Sequence, residues 1–268
     1  MGPPISVGVL VEETLSVWQV RALETMLNES DAQIAYVVVN RAEDTFTDKF
    51  ERVRRAKAYV VIAGLRRFST AVHGEQGLHR SMLVEDVECL ADAEVVECVP
   101  TPSAEFGVEL PAETVERVSN CDVIVRFGFG IIKGRILTVP QHGVLSYHHG
   151  DIRRYRGRPA GFWEFMHGVD ETGITLQKLS SELDKGNIAV YRSIDISQSE
   201  PYQSIRRRLF EESIDMLATA ITDIEQGTYD PANPDTTGDL YTAPSFTEYL
   251  QYLSKNIPLR LRHRLHSE

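Results

Sequence analysis

Short apolar runs alternate along this chain with longer stretches of helical period. Residues 5–11, ISVGVLV, read as a buried strand, and residues 15–27 carry apolar positions at helical spacing. Residues 34–39 predict a second strand and residues 59–63 a third. The runs at 95–99, 122–127 and 143–148 continue the series, and Pro111 opens a helix that reaches Val118. Strands separated by helices imply βαβ units, so the expected fold class is α/β: a mostly parallel sheet flanked by helices. Residues 173–179 and 187–194 predict two later strands whose direction the pattern leaves open.

The clearest amphipathic pattern covers residues 202–225. Ile205, Leu209, Ile214, Leu217 and Ile221 fall there on or near one face of a single long helix. Residues 227–238, GTYDPANPDTTG, are dense in turn formers and read as a linker. Ser245-Phe-Thr-Glu248 fits a capping box opening a short helix, and the basic stretch 259–266 reads as irregular. The chain thus divides into a body over residues 1–226 and a short C-terminal appendage over residues 227–268.

Charge and composition narrow the picture further. With 28 Lys+Arg against 39 Asp+Glu, the 268 residues carry a net charge of −11. That balance argues against DNA and against non-specific nucleic-acid binding, which needs basic surface to displace counterions. Hydrophobic residues, at 42%, suffice for a sizeable core. Cys89, Cys98 and Cys121 form no C-x-x-C pair, so neither a disulfide framework nor a metal site is expected. The first residues carry no basic, signal-like segment, and no apolar run approaches the ~18 residues of a membrane span. The expected setting is a reducing cytoplasm, with no membrane partner.

Candidate chemistry begins where the run at 143–148 gives out, in SYHHGDIRRYRG. In open parallel sheets ligands bind beyond the carboxyl ends of strands, and His148 falls at such an end. His148 and His149 point to opposite faces if the strand continues through them, so they would not chelate a metal together. Asp184, in the polar stretch ELDKG, is a carboxylate suited to orient an imidazole. Such a pair moves protons or stabilises developing charge. Arg153, Arg154, Arg156 and Arg158 follow the histidines and suit an anionic ligand, although Arg154 and Arg158 read more simply as surface charges.

Another run ends on Phe127-Gly128-Phe129-Gly130-Ile131. A dinucleotide fingerprint would need glycine again at position 133, where Lys133 stands, so a nicotinamide site is not indicated. Two glycines around an aromatic still let a flat ligand approach the backbone. After the first run come Glu12 and Glu13, which exclude a phosphate site at that turn.

Residues 146–188 resemble the catalytic half of the folate-dependent formyltransferases, without a gap. The family pattern is Asn-x-His-Pro-Ser, a Tyr-Arg-Gly-like turn, Trp, Thr-Gly-Val-Thr and Leu-Asp-x-Gly-x-Ile. This chain gives Ser146-Tyr147-His148-His149-Gly150, Tyr155-Arg156-Gly157, Trp163, Thr172-Gly173-Ile174-Thr175 and Leu183-Asp184-Lys185-Gly186-Asn187-Ile188. The resemblance implies a Rossmann-like formyltransferase fold and N10-formyltetrahydrofolate as formyl donor. It implies His148 and Asp184 as catalytic residues, with Ser146 at the position of the family's oxyanion-binding asparagine. It places Phe127, Gly128, Phe129, Gly130 and Ile131, and also Ser181, Glu182 and Leu183, in the donor pocket. His149, Gly150 and Arg156 would bind substrate.

Three positions of the histidine motif depart from the family pattern. Ser146 replaces asparagine, His149 proline and Gly150 serine. A hydroxyl is one donor on a shorter stem than an amide, so the departures imply a site retuned for another acceptor. With 42 residues from the start of the linker, 227–268, a small-molecule amine such as an amino sugar is favoured over tRNA. Three rivals remain open: water as acceptor, making a formyl-folate hydrolase; a methionyl-tRNA formyltransferase-like activity; and a non-catalytic folate-binding protein.

Overall fold

The computed structural model describes residues 3–42, 77–104, 106–180, 186–197 and 199–265. The chain opens with β1 (Ile5–Val11), β2 (Thr14–Ser16), α1 (Val17–Glu29) and β3 (Ala32–Asn40). Next are β4 (Ser81–Leu83), β5 (Glu94–Cys98), β6 (Thr101–Pro102), β7 (Val108–Glu109) and α2 (Ala112–Arg117). The site-bearing part follows as β8 (Val123–Arg126), β9 (Ile132–Lys133), β10 (Val144–His148), β11 (Tyr155–Gly157) and α3 (Phe162–His167). The remainder is β12 (Glu171–Lys178), β13 (Asn187–Asp195), α4 (Tyr202–Glu211), α5 (Met216–Gln226), β14 (Asp239–Tyr241) and α6 (Phe246–Leu265). The strand expected at residues 59–63 lies outside the described residues.

Seven strands make the main sheet, in the order β13-β12-β10-β8-β1-β3-β5. From β10 to β5 neighbouring strands are parallel; β12 is antiparallel to β10 and β13 to β12. The chain winds outward from β1 through β3 to β5 and then returns to lay β8 on the other side of β1. That reversal is the topological switch point at which α/β sheets open a crevice.

Both faces of the parallel strands are covered, which is why their sequences are apolar throughout rather than alternating. Side chains divide by parity. Val7, Val9, Val11, Val123, Val125 and Leu145 join Leu23 and Met26 of α1 and Leu217 and Ile221 of α5. Leu10, Ile124 and Val144 face the other way, into a second core with Val115, Phe129 and Ile136.

The helix expected over residues 202–225 is two helices. Residues 212–215 interrupt it because their polar groups find other partners. The buried Ser213 hydroxyl donates to the Phe210 carbonyl at 2.8 Å, the local competition that makes serine a poor helix-interior residue. Asp215 accepts both arms of Arg192 of β13, at 2.7 and 2.9 Å.

The segment after residue 226, expected as linker and appendage, is laid against the body. β14 pairs in parallel with β11, and the Trp163 indole donates to the Thr242 carbonyl at 3.0 Å. Ser245 and Glu248 form the expected capping box, with Ser245 N–H to Glu248 Oε2 at 2.6 Å and Glu248 N–H to Ser245 Oγ at 3.4 Å. The helix it opens is not short: α6 runs 20 residues, through the stretch expected to be irregular. Its buried Asn256 accepts from Tyr202 N–H at 2.8 Å, satisfying a donor that the first turn of α4 leaves without a partner in its own helix.

Candidate active site

The cleft opens where the apolar runs of β1, β8 and β10 end, on Glu12, Arg126 and Ser146 through His149. It has a volume of about 760 Å³, within the range of small-molecule sites. Trp18 of α1, Phe127, Tyr147 and Phe210 of α4 give it an aromatic side, and Arg158 and Arg206 also line it. Trp18 meets Phe127, Tyr147, His149 and Phe210 edge-on, with ring centroids 5.0–5.7 Å apart. These contacts fix the rings in place before any ligand arrives.

The loop after β8 is held by two charged side chains. Glu12 Oε1 accepts from Phe129 N–H at 2.6 Å, and its Oε2 accepts from Asn40 Nδ2 at 3.0 Å. The Phe129 backbone sits at φ 65°, a left-handed conformation costly for an aromatic residue. Its ring is buried in the second core, 3% exposed, on the far side of the loop from the cleft. Gly128 passes so close to β1 that a Cβ would stand 2.6 Å from Glu12 N and 2.7 Å from Val11 C. Of the five loop residues expected to meet the donor, Phe127, Gly128 and Gly130 line the cleft. Phe129 packs away from it, and Ile131 is half exposed beside Gly107.

Ser146 is 1% exposed and faces Arg126 across the β8–β10 register. Arg126 Nε and Nη2 both donate to Ser146 Oγ, at 3.2 and 2.8 Å, and Nη1 donates to the Gly130 carbonyl. One guanidinium thus ties the carboxyl end of β10 to the glycine loop. Two residues on, His148 Nε2 lies 3.0 Å from the Tyr155 carbonyl. A carbonyl only accepts, so Nε2 carries a proton. Gly150 makes room for that ring, since a Cβ there would stand 2.8 Å from Nε2.

His149 is turned elsewhere. Its Nε2 donates at 3.1 Å to Ser213 Oγ, whose own proton goes to the Phe210 carbonyl. Its ring lies 3.9 Å from that of Phe210. Burial, then the neighbouring His148, His79 and Arg206, push its pKa down to about 3, so it is neutral at physiological pH. It lines the cleft as an uncharged aromatic wall.

The arginines after the histidines divide between structure and cleft. Arg153 holds the buried Asp151 through Nε and Nη2, at 2.8 and 3.0 Å. Arg156, expected to bind substrate, donates its Nε to the Gly238 carbonyl at 2.6 Å, beside the β11–β14 pairing. Arg158, which reads as a surface charge in the sequence, lines the cleft. Asp184, Ser181, Glu182 and Leu183 lie outside the described residues. Among the described residues no group of three His, Cys, Asp or Glu side chains is placed to hold a metal. None of their helices is long and apolar enough to cross a membrane.

Sequence reasoning did not single out Arg126, Trp18, Phe210 or Ser213. Arg126 had a signal, being the first charge after the apolar run of β8. The others are ordinary positions of amphipathic helices or turns, and only packing reveals them.

A model of the formyl transferase family matches residues 7–221. The methionyl-tRNA formyltransferase of Thermotoga neapolitana is 29% identical over 153 residues, covering 57% of this chain and 48% of the relative. That of Geobacter metallireducens is 37% identical over 109 residues, covering 38% of this chain and 35% of the relative. The chain therefore matches about half the length, or less, of these curated relatives. Glycinamide ribonucleotide transformylase 1 from Symbiobacterium toebii superposes over 85% of this chain and 90% of its own, with a TM-score of 0.56 at 20% identity. A formyltetrahydrofolate deformylase from Pseudomonas syringae pv. tomato superposes over 88% of this chain and 66% of its own, with a TM-score of 0.56 at 17% identity. The last two show the shared fold, and the family match spans the sheet, the glycine loop and the histidine cleft: the chain belongs to the formyl transferase family.

Proposed function

We propose that this protein transfers a formyl group from N10-formyltetrahydrofolate to a small primary amine bearing an anionic group. The observation that carries the reading is the meeting, within the family-matched region, of the glycine loop, Ser146 and His148 in one cleft. A folate fits this cleft on physical grounds. A flat pteridine matches an aromatic wall, and Phe127, Gly128 and Gly130 line the cleft beside it. Arg158 and Arg206 supply the positive charge that an anionic acceptor needs. Support for the donor comes from the family, and support for an anionic acceptor comes from those two arginines alone.

When bound, the formyl-folate supplies an electrophilic formyl carbon, and the protein's side chains do the rest. Negative charge develops on the formyl oxygen as the amine attacks, and donors aimed at that oxygen lower the barrier. His148 stands at the cleft edge to supply such a donor or to relay the proton that the amine loses. Asp184 is proposed as its carboxylate partner, on the resemblance alone.

Water is the second reading, favoured by the superposition on a protein named as a deformylase. One experiment separates them. Loss of formyl-folate is followed by absorbance with no amine, with nucleotide-linked amino sugars, with small phosphorylated amines and with methionyl-tRNA. Amine-dependent loss with a formylated product by mass spectrometry is the expected result. Equal loss without amine would establish the hydrolase, and folate binding without any loss would overturn both.

A further inference from the structure

We propose that Arg126 and Ser146 work as one donor unit, in which the guanidinium turns and polarises the serine hydroxyl toward the formyl oxygen. The inference rests on the formyl-transfer reading and adds to it a residue that the family pattern does not supply.

The hydroxyl has one proton and two lone pairs. Nε and Nη2 of Arg126 both approach Oγ, at 3.2 and 2.8 Å, so toward Arg126 the oxygen can only accept. Its proton is thereby directed away from the guanidinium. Among the described residues no carbonyl or carboxylate receives that proton. The cleft that Ser146, Arg126 and His148 line together offers the proton that direction. Residues two apart on a strand share a face, which puts Ser146 and His148 on the same side. A hydroxyl that accepts from a cation becomes a stronger donor, because hydrogen bonds in a chain polarise one another.

The geometry also explains how the shorter side chain can serve. Serine lacks the reach and the second proton of an amide, but it carries here a fixed positive charge behind its oxygen. The Gly130 carbonyl, a second acceptor, holds the guanidinium in that orientation.

In the step itself the amine lone pair forms the new C–N bond, and the carbonyl π pair moves onto oxygen, where Ser146 donates. As that pair returns, the bond from the formyl carbon to the donor nitrogen breaks. That nitrogen leaves with its electron pair and takes up the proton lost by the acceptor amine. No oxidant, reductant or further reactant is required. Ser146 touches the reacting oxygen; Arg126 acts through it as a positioning residue.

The test is a double-mutant cycle of wild type, Arg126→Gln, Ser146→Ala and the double variant. kcat and KM for formyl-folate are read separately, and folding is checked by circular dichroism. Ser146→Ala is expected to lower kcat by about 10²-fold, the effect of one lost donor. Arg126→Gln should approach the same loss with the KM for formyl-folate changed less than about threefold, and the double variant should be no worse than Ser146→Ala. A rise in KM with multiplicative losses would overturn the unit and make Arg126 a loop anchor. A Ser146→Ala enzyme with wild-type kcat would overturn it even if the Arg126 variant does not fold. A wild type that turns over formyl-folate while these variants match it refutes the unit and not the transfer reading; an inactive wild type refutes the transfer reading.

Discussion

The interiors of β1, β8 and β10 and the carboxyl ends of the same strands are built from opposite materials. Within the sheet, Val9, Ile124 and Leu145 are fully buried, and nothing they carry needs a hydrogen-bond partner beyond the ladder. At the ends, Glu12, Arg126, Ser146 and His148 are polar, and each is held by a directional bond to a neighbour. The first region is set by volume and parity, which tolerate small repacking. The second is set by donor and acceptor geometry, where an atom displaced by an ångström loses its bond. The comparison teaches where to look for function in such a chain: at the first polar residue after each buried run, on the strands flanking the reversal in sheet order.

If the two regions are distinct, interior substitutions should act on stability. Leu176→Ala, at a fully buried position of β12, should destabilise the fold by about 2–5 kcal/mol, read as a lower urea midpoint. A loss below about 1 kcal/mol would show that the sheet is looser than this packing implies.

Glu164 sharpens the comparison, because it is a carboxyl placed among interior material. It is 3% exposed and accepts from Thr172 Oγ1 at 3.1 Å, and burial raises its pKa to about 7. A carboxyl whose folded pKa lies above its unfolded value binds more protons when native, so the stability it contributes is present below pH ~4.5 and is lost as pH rises through 7. Glu164→Gln should therefore gain up to roughly 3 kcal/mol over wild type at pH 8, with the gap closing toward pH 4.5. His149 acts in the opposite sense. Its folded pKa is depressed, so its contribution is present above pH ~6.5 and is lost as pH falls toward 3. Denaturant titrations across pH check both, and a Glu164→Gln gap that does not vary with pH would contradict the assignment.

The smallest effect belongs to the surface. Arg207 and Glu211 pair one helical turn apart at 3.8 Å, both largely exposed. Arg207→Ala should shift stability by no more than about 0.5 kcal/mol. A larger loss would mean that a surface position is doing the work of an interior one.

Much of this architecture could be read in the sequence, because buried parallel strands must be apolar and the helices between them must be periodic. The strands at 5–11, 34–39 and 143–148 were visible for that reason, and the motif after Ser146 gave the site its residues. What stayed hidden depends on contacts between distant segments. The break at residues 212–215 is made by Arg192 and His149 reaching Asp215 and Ser213. The continuation of α6 to Leu265 is invisible in a basic stretch until Asn256 and Tyr252 are seen docked on α4. The Arg126–Ser146 bond joins residues 20 apart, through a strand register that no local pattern states.

Whether the cleft edge performs the proposed transfer is tested most directly by His148→Ala. Single-turnover loss of formyl-folate and equilibrium folate binding are measured on the same preparations of wild type and variant. Turnover is expected to fall by about 10²–10³-fold with folate affinity within about threefold of wild type, since the imidazole acts on charge that develops only in the transition state. Affinity and turnover falling together, or turnover left intact, would contradict it.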